Sequence, residues 1–231
     1  MQVVQLAFDV ARVVLPFDSI RDSRKIWNHV DELALSPALA ALLARNGVRI
    51  GVGSPDTSAP IRAVLETAKP EISEERLFAQ GGAPISVRLS TVEDGEPIFF
   101  YGADGRLTGR TFEGGDKLLN LDYQVHANAG GGVDVRIGFE VRRDLGVMTW
   151  ERVDGVVREV PAYNSHVFEE LRPTLALKPG EFLVIGLGEM PGNSYVLGNR
   201  MLGFERSGEK FETVLFITPR AAQVLAVPTQ P

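Results

Sequence analysis

The stretch FETVLFITPR, residues 211–220, decides how the chain is read. Alternation puts Glu212, Val214, Phe216 and Thr218 on one face of a strand and Phe211, Thr213, Leu215 and Ile217 on the other. Both faces carry bulky apolar side chains, so the strand belongs inside a protein. Thr218 and Pro219 are expected to stop its ladder, because Pro219 offers no N–H. Phe216 and Ile217 are expected in the core, and Arg220 is expected to pair with an acidic group at the rim. Upstream, EFLVIGLG (181–188) is also apolar on both faces and reads as a central or covered strand. The Pro179-Gly180 turn leads into it. Residues 178–220 therefore read as an antiparallel hairpin or two adjacent strands, with residues 189–204 as an exposed excursion between them.

From residue 84 onward the same texture repeats. PISVRLST, EPIFFYG, GRLTGRTF, LLNLDYQVHAN, VDVRIGFEVRR, VMTWERVDG and VREVPA are strand-like segments, punctuated by Asp94-Gly95, Asp104-Gly105, Gly114-Gly115, Gly130-Gly131-Gly132 and Asp154-Gly155. Asp-Gly pairs suit hairpin turns because both residues tolerate positive φ. In VDVRIGFEVRR, Val133, Val135, Ile137, Phe139 and Val141 form an apolar face, and Asp134, Arg136, Gly138, Glu140 and Arg142 a wet one. Burying each apolar side chain of that face is worth at most about 1.5–3 kcal/mol.

The first third is different. Residues 2–15 alternate as a long strand ended by Pro16. DSIRDSRKIWNHVDEL (18–33) reads as a helix capped by Asp18 or Ser19. SPALAALLARNG has a helix start at Ser36-Pro37 and a stop at Asn46-Gly47. VRIGVG (48–53) is a short strand, and DTSAPIRAVLETAKP a further helix with Thr57 or Ser58 near its cap. EISEERLFAQGG is either a short helix or a connector. The fold class is thus α+β: a small β-α-α-β-α unit over 1–75, a mainly antiparallel β region over 84–220, and a loose tail over 221–231. No Pro- and Ser-rich linker separates the two parts.

Composition narrows the function. The chain has 231 residues, a formal net charge of −6, 44% hydrophobic residues and no cysteine. An acidic chain without a basic run gives little electrostatic support for nucleic acid or an anionic membrane surface. Disulfides and cysteine-based metal or redox chemistry are excluded. No stretch reaches the 18 or so apolar residues of a transmembrane helix. No basic-then-apolar leader opens the chain. It reads either as a mature envelope sequence whose leader has been removed or as a cytoplasmic one.

Catalytic patterns are sparse. His29, His126 and His166 are scattered and lack metal-ligand spacing. Ser165 and His166 in YNSHVFEE are the most reactive-looking pair, but strand neighbours point to opposite faces. The acidic stretches VDEL, EISEE and FEEL fit solvated faces and helix starts. GVGSPDTS stands before a helix but lacks a Walker lysine and carries Asp56, so it reads as a capped βα loop. NAGGGVD reads as a hairpin tip, and ADGRLTGRTFEGGDK lacks the EF-hand order. No catalytic residue, metal or cofactor is assigned.

The C-terminal blocks resemble bacterial secretins, the ring-forming outer-membrane channel proteins of type II secretion and type IV pilus systems. Pro179-Gly180-Glu181 leads into FLVIGLG, the loop carries EMPGNSYVLGNRMLGF, and ETVLFITPR closes. VDVRIGFEVRR is similar to the family's amphipathic strand upstream of that hairpin. The resemblance covers residues 119–143 and 178–220 and is that of a divergent or shortened relative. It implies a non-catalytic structural or assembly component of a cell-envelope secretion or pilus-type system, periplasmic or outer-membrane associated. Envelope or secretion-system proteins, or further copies of the chain, would be its partners, with no direct membrane span. Apart from the resemblance, the long loop offers Tyr195, Met201 and Phe204 either as partner contacts or as side chains that pin the loop onto the core. The alternatives are a soluble β-rich binding module for a protein or carbohydrate, and a hydrolase with a site near Ser165 and His166.

Overall fold

The computed structural model describes residues 2–19, 26–79, 84–126, 132–153, 155–188 and 194–226. Strands β1 (Gln2–Pro16) and β11 (Glu209–Ala226), from the two ends of the chain, pair antiparallel from Gln2↔Ala226 to Pro16↔Phe211. On its other side β11 pairs with β9 (Phe182–Leu187), and β9 pairs with β2 (Val48–Gly53). β3 (Glu71–Phe78) flanks β1, so the first sheet runs β2-β9-β11-β1-β3. β10 (Gly203–Arg206) is its sixth strand, in a tight hairpin with the start of β11.

The second sheet is a meander of β4 (Ile85–Tyr101), β5 (Leu107–Val125), β6 (Val133–Val153) and β7 (Val156–Val167). β8 (Thr174–Leu177) pairs with the start of β6. All ladders of both sheets are antiparallel. With the helices α1 (Pro37–Arg45), α2 (Pro55–Thr67) and α3 (Leu197–Leu202), the fold is α+β and dominated by its sheets.

Alternation along the strands builds two cores. Leu6, Phe8, Val10, Leu183, Ile185, Leu215 and Ile217 face the second sheet and meet Val87, Leu119, Leu121 and the odd-numbered face of β6. The opposite face of the first sheet buries Val13, Leu15, Phe182, Val184 and Val214 against Trp27 and the α2 residues Ile61 and Leu65. β9 is buried along its whole length, as its two apolar faces require. The amphipathic strand reads as expected too: Val133, Val135, Ile137, Phe139 and Val141 are all buried.

The closing strand behaves differently from its sequence reading. Ile217 is core, Phe216 packs against the second cluster, and Arg220 pairs with Asp9 at 3.0 Å. Yet the strand does not stop at Thr218-Pro219; it continues along β1 to Ala226. The hydrogen-bond phase explains this. Phe17 N donates to Lys210 O at 2.9 Å, which makes the odd-numbered residues of β1 the hydrogen-bonded partners of β11. Pro219 lies opposite Phe8, in a non-hydrogen-bonded pair, so its nitrogen faces away from β1. On that side the β9 ladder has already ended at Ile217. The proline therefore costs no ladder bond. Residues 221–226 are strand rather than loose tail, and residues 227–231 lie outside the described residues.

Other expectations are corrected. The division into 1–75 and 84–220 does not coincide with the sheets, because the first sheet draws β1 and β2 from the first segment and β9–β11 from the second, and β3 runs past residue 75. The segment 18–33 forms only a 3-10 turn at Trp27–His29 within its described part, residues 20–25 lying outside it. Asp31 then bridges to Val52 at the edge of β2, and Trp27 is drawn into the second core. EISEERLF is neither helix nor connector but the edge strand β3, because β1 offers it an unfilled ladder. α2 starts one turn earlier than expected: Ser54 is the cap and its N–H donates to Thr57 Oγ1 at 3.0 Å. The short strands expected after residue 84 fuse into long ones, with Gly95 taking up a register shift inside β4 and Gly114-Gly115 lying inside β5.

Leu215 is wholly buried between β1 and β9. We expect Leu215→Ala to cost about 2–5 kcal/mol in denaturant unfolding. Thr218→Ala, at the end of the β9 ladder, should fall within about 0.5 kcal/mol of the parent.

Candidate functional site

Three places carry the side chains that could act. The first is the pair Ser165 and His166 on β7. Ser165 Oγ donates to Glu140 Oε1 at 2.6 Å, and Arg142 donates to the same carboxylate at 2.7 and 2.8 Å, with Asn120 as a further donor. Burial pushes the Glu140 carboxyl up, but the hydrogen bonds from Arg142, Ser165 and Asn120 outweigh it and hold it below its usual range. Ser86 Oγ reaches Asn120 Oδ1 at 2.7 Å, so the polar network crosses β4, β5, β6 and β7.

His166 points the other way. Its ring sits 4.9 Å from Phe168, 5.7 Å from Phe112 and 6.2 Å from Phe100, and Nδ1 lies 3.0 Å from Arg110 Nη1. Nδ1 faces a guanidinium, so it accepts, and the ring is neutral with its proton on Nε2. Burial, and then the charge of Arg110, lower its pKa. The hydroxyl and the imidazole are thus on opposite faces of the strand, and the hydrolase reading is corrected: the structure does not bring Ser165 and His166 together. His126 lies elsewhere, 2.7 Å from Asp134 across the β5–β6 hairpin. No group of three or more metal-ligating side chains occurs among the described residues.

The second place is the excursion after β9, described from residue 194. Over residues 194–204 it is not an exposed loop, and residues 189–193 lie outside the described residues. Phe99 N donates to Tyr195 O at 2.9 Å, Gly198 N donates to Asn46 O at 2.8 Å, and α3 buries Leu197, Gly198, Met201 and Leu202. Gly198 is required by close approach, since a Cβ there would stand 2.1 Å from Gly47 O. Of the three residues singled out from sequence, Met201 is core and pins the segment, so it presents nothing to a partner in this conformation. Phe204 stacks on Phe211 at 5.5 Å and is half-buried. Tyr195 is exposed on one side, with the Arg200 guanidinium 4.4 Å above its ring. Arg200 also approaches Glu96 at 3.7 Å, and Glu96 holds the buried Lys117 at 2.7 Å. Burial lowers the Lys117 pKa, opposed by Glu96.

The third place was not singled out from sequence. The β5–β6 ladder ends at Asp116↔Arg142, and beyond it the second sheet forks. Gly115 sits at the branch, where a Cβ would meet Arg142 O at 2.7 Å. One prong is the β4–β5 hairpin. The other is a two-stranded ribbon of β6 and β7 beyond a register shift between Asp144 and Met148, where Gly146 takes φ +67°. The fork holds a polar cleft of about 270 Å³ lined by Arg110, Glu113, Arg143, Asn164 and His166 among others. On the ribbon, Met148 faces Pro161, Trp150 faces Glu159 and Arg152 faces Val157. Met148, Trp150, Val157 and Tyr163 are exposed by 54, 70, 53 and 48% on that same face. The strands on either side of the Asp154-Gly155 turn were visible in VMTWERVDGVVREVPAY, but sequence alone could not show that no second layer among the described residues covers them.

No protein-family model and no curated protein matches the sequence. Among solved structures, the chain is similar to the InvG secretin domain β-barrel from the Salmonella SPI-1 injectisome. Identity is 11% and the TM-score 0.29, over 97% of this chain and 64% of that one. It is also similar to the V. cholerae type IV competence pilus secretin PilQ, at 12% identity and a TM-score of 0.28, over 96% of this chain and 61% of that one. The chain therefore spans less than two thirds of the length of these structures. This is a weak structural similarity to secretins without a sequence-family match.

Two outcomes follow from the geometry. Gly198→Ala should destabilise the fold by about 1–3 kcal/mol or more, since only backbone can move to make room. His166, depressed in the folded chain, contributes stability that is fully present above its ordinary pKa of 6.5 and lost as the pH falls below it, where the unfolded chain binds the extra proton. His166→Gln should flatten the fall in Tm as the pH drops below 6.5.

Proposed function

We propose that the chain is a non-catalytic assembly component of a bacterial cell-envelope secretion or pilus-type system. The β6–β7 ribbon carries the reading. It stands clear of the core beyond the sheet fork and keeps Met148, Trp150, Val157 and Tyr163 on one uncovered face. Exposed apolar side chains gathered on a rigid two-stranded support mark an interaction surface. Arg152 and Glu159 on that face, and Glu151 and Arg158 on the other, keep the ribbon soluble until it docks. Six residues per strand beyond the shift reach about 20 Å. That suits insertion between neighbouring proteins better than an unaided membrane span, which needs about 9–11 residues per strand. The secretin-like blocks at 119–143 and 178–220 support the choice of envelope system, and Tyr195 offers a second, smaller contact.

The test is fractionation of an epitope-tagged chain in a Gram-negative host, combined with size analysis. The parent chain should co-fractionate with the envelope in assemblies larger than a monomer. Trp150→Asp/Val157→Asp should release it as a soluble species with an unchanged Tm, because neither residue supports the core. A parent chain that behaves like the double variant would sink the proposal.

A further inference from the structure

The two edges of the first sheet are treated differently. At β2, Asp31 exchanges backbone hydrogen bonds of 2.8 and 2.9 Å with Val52 and closes the edge. At the other end β3 has β1 on one side, and among the described residues no strand or bridge pairs with its outer side. β3 contains no proline, no lysine and no bulge, its register with β1 running from Glu71 to Phe78 without a shift; its protection rests on the charges of Glu71, Glu74, Glu75 and Arg76, which a complementary partner strand would answer.

The phase of the ladder says which groups are on offer. Ala79 N donates to Leu6 O at 2.8 Å, so Leu6 and Ala79 form a hydrogen-bonded pair. By alternation, Ser73, Glu75 and Leu77 turn their N–H and C=O groups toward β1. Ile72, Glu74, Arg76 and Phe78 turn theirs outward. These four also share one face of the strand, and all are exposed, Ile72 by 55% and Phe78 by 53%.

Read along the strand, that face is apolar, acidic, basic, apolar. The pattern is self-complementary when reversed. With a two-fold axis at Glu75, Ile72 comes opposite Phe78 of the other copy, and Glu74 opposite Arg76, each twice. All outward N–H and C=O groups of the four residues then find partners. Arg76 already holds Asp9 through Nε and Nη2 and has further donors for Glu74 of the second copy. The one unfavourable pair is Glu75 with itself on the axis, offset in each copy by the charge of Arg12. We propose that β3 is a docking edge for a second copy of this chain, pairing antiparallel about a two-fold axis at Glu75 and joining two first sheets into one. Such an isologous contact closes on itself. It uses none of the ribbon residues and stands independently of the assembly role proposed above.

The absence of native cysteine makes the register directly testable. The Glu75 pair would be non-hydrogen-bonded, with Cα atoms about 4.5 Å apart, within disulfide range. Under mild oxidation Glu75→Cys should give a covalent dimer, whereas Glu74→Cys or Arg76→Cys alone should not. A mixture of the Glu74→Cys and Arg76→Cys chains should form the heterodimer. Sedimentation of the cysteine-free chain should show a dimer that Glu74→Arg or Ile72→Lys weakens at least tenfold, with Tm unchanged when parent and variant are compared at a concentration where both are monomeric. The same measurements in a Trp150→Asp/Val157→Asp background remove association through the ribbon. Equal cross-linking at 74, 75 and 76, or a monomer at roughly 100 µM in that background, would overturn the proposal.

Discussion

The pairing of β1 with β11 is the constraint on which the rest depends. It joins the chain ends along nearly the full length of both strands, and every other strand of the first sheet is attached to one of the two directly or through β9. β3 hangs on β1; β9 and β10 hang on β11; β2 hangs on β9. The Leu6, Phe8 and Val10 side chains of β1 and the Leu215 and Ile217 side chains of β11 also form the floor against which the second sheet packs. Such a contact is almost as non-local as the chain allows. Its closure entropy must be met before the core rewards it, so its formation belongs late in folding or requires a preformed second sheet as template.

Charge inside this framework sets registers more than it adds stability. Glu140 is almost fully buried on the side of β6 away from the main core, and it is tolerable there because Arg142, Ser165 and Asn120 satisfy it from the same and neighbouring strands. A slip of one residue in any of these strands would turn a donor to the other face and leave a bare carboxylate. Lys117 and Glu96 do the same work for the β4–β5 pair, with Arg200 linking them to α3. These networks stand near the fork of the second sheet, where the two prongs separate and apolar packing alone would not fix their registers.

How much of this was legible in the sequence follows from the range of the forces involved. Period-two apolarity located β6, β9 and β11 and their faces, because each strand's pattern is answered by a core on the matching side. The α1 cap was legible because it is local, with Leu39 N reaching Ser36 Oγ at 3.4 Å. What failed was non-local. EISEERLF has little strand pattern of its own, its Glu71, Glu74 and Glu75 being poor strand formers, and becomes β3 because β1 lies beside it. The helix expected over 18–33 gives way, in its described part, to the pull of Trp27 into the second core and of Asp31 onto β2. Met201 was open to two readings, partner contact or loop pin, and nothing in its neighbours announces that Asn46-Gly47 closes over the segment and makes it the pin. The ribbon was hidden for a similar reason: VMTWERVDG and VREVPA were legible as strands, and only the absence of a covering layer among the described residues makes Trp150 and Met148 a surface.

The same alternation therefore has opposite consequences at the two extremities of the structure. On the ribbon it leaves Met148, Trp150 and Val157 exposed on one face and Val147 and Val156 on the other, and so leaves the contact to side chains, which tolerate many partners and several geometries. On β3 it collects apolar and charged residues in a palindromic order and directs backbone groups outward, which tolerates one register and one orientation. A sheet edge discriminates because every hydrogen bond is lost together when the phase is wrong. An apolar face discriminates little, because burial is non-directional. A chain that carries both has the means to separate a specific contact with its own kind from a permissive contact with its surroundings.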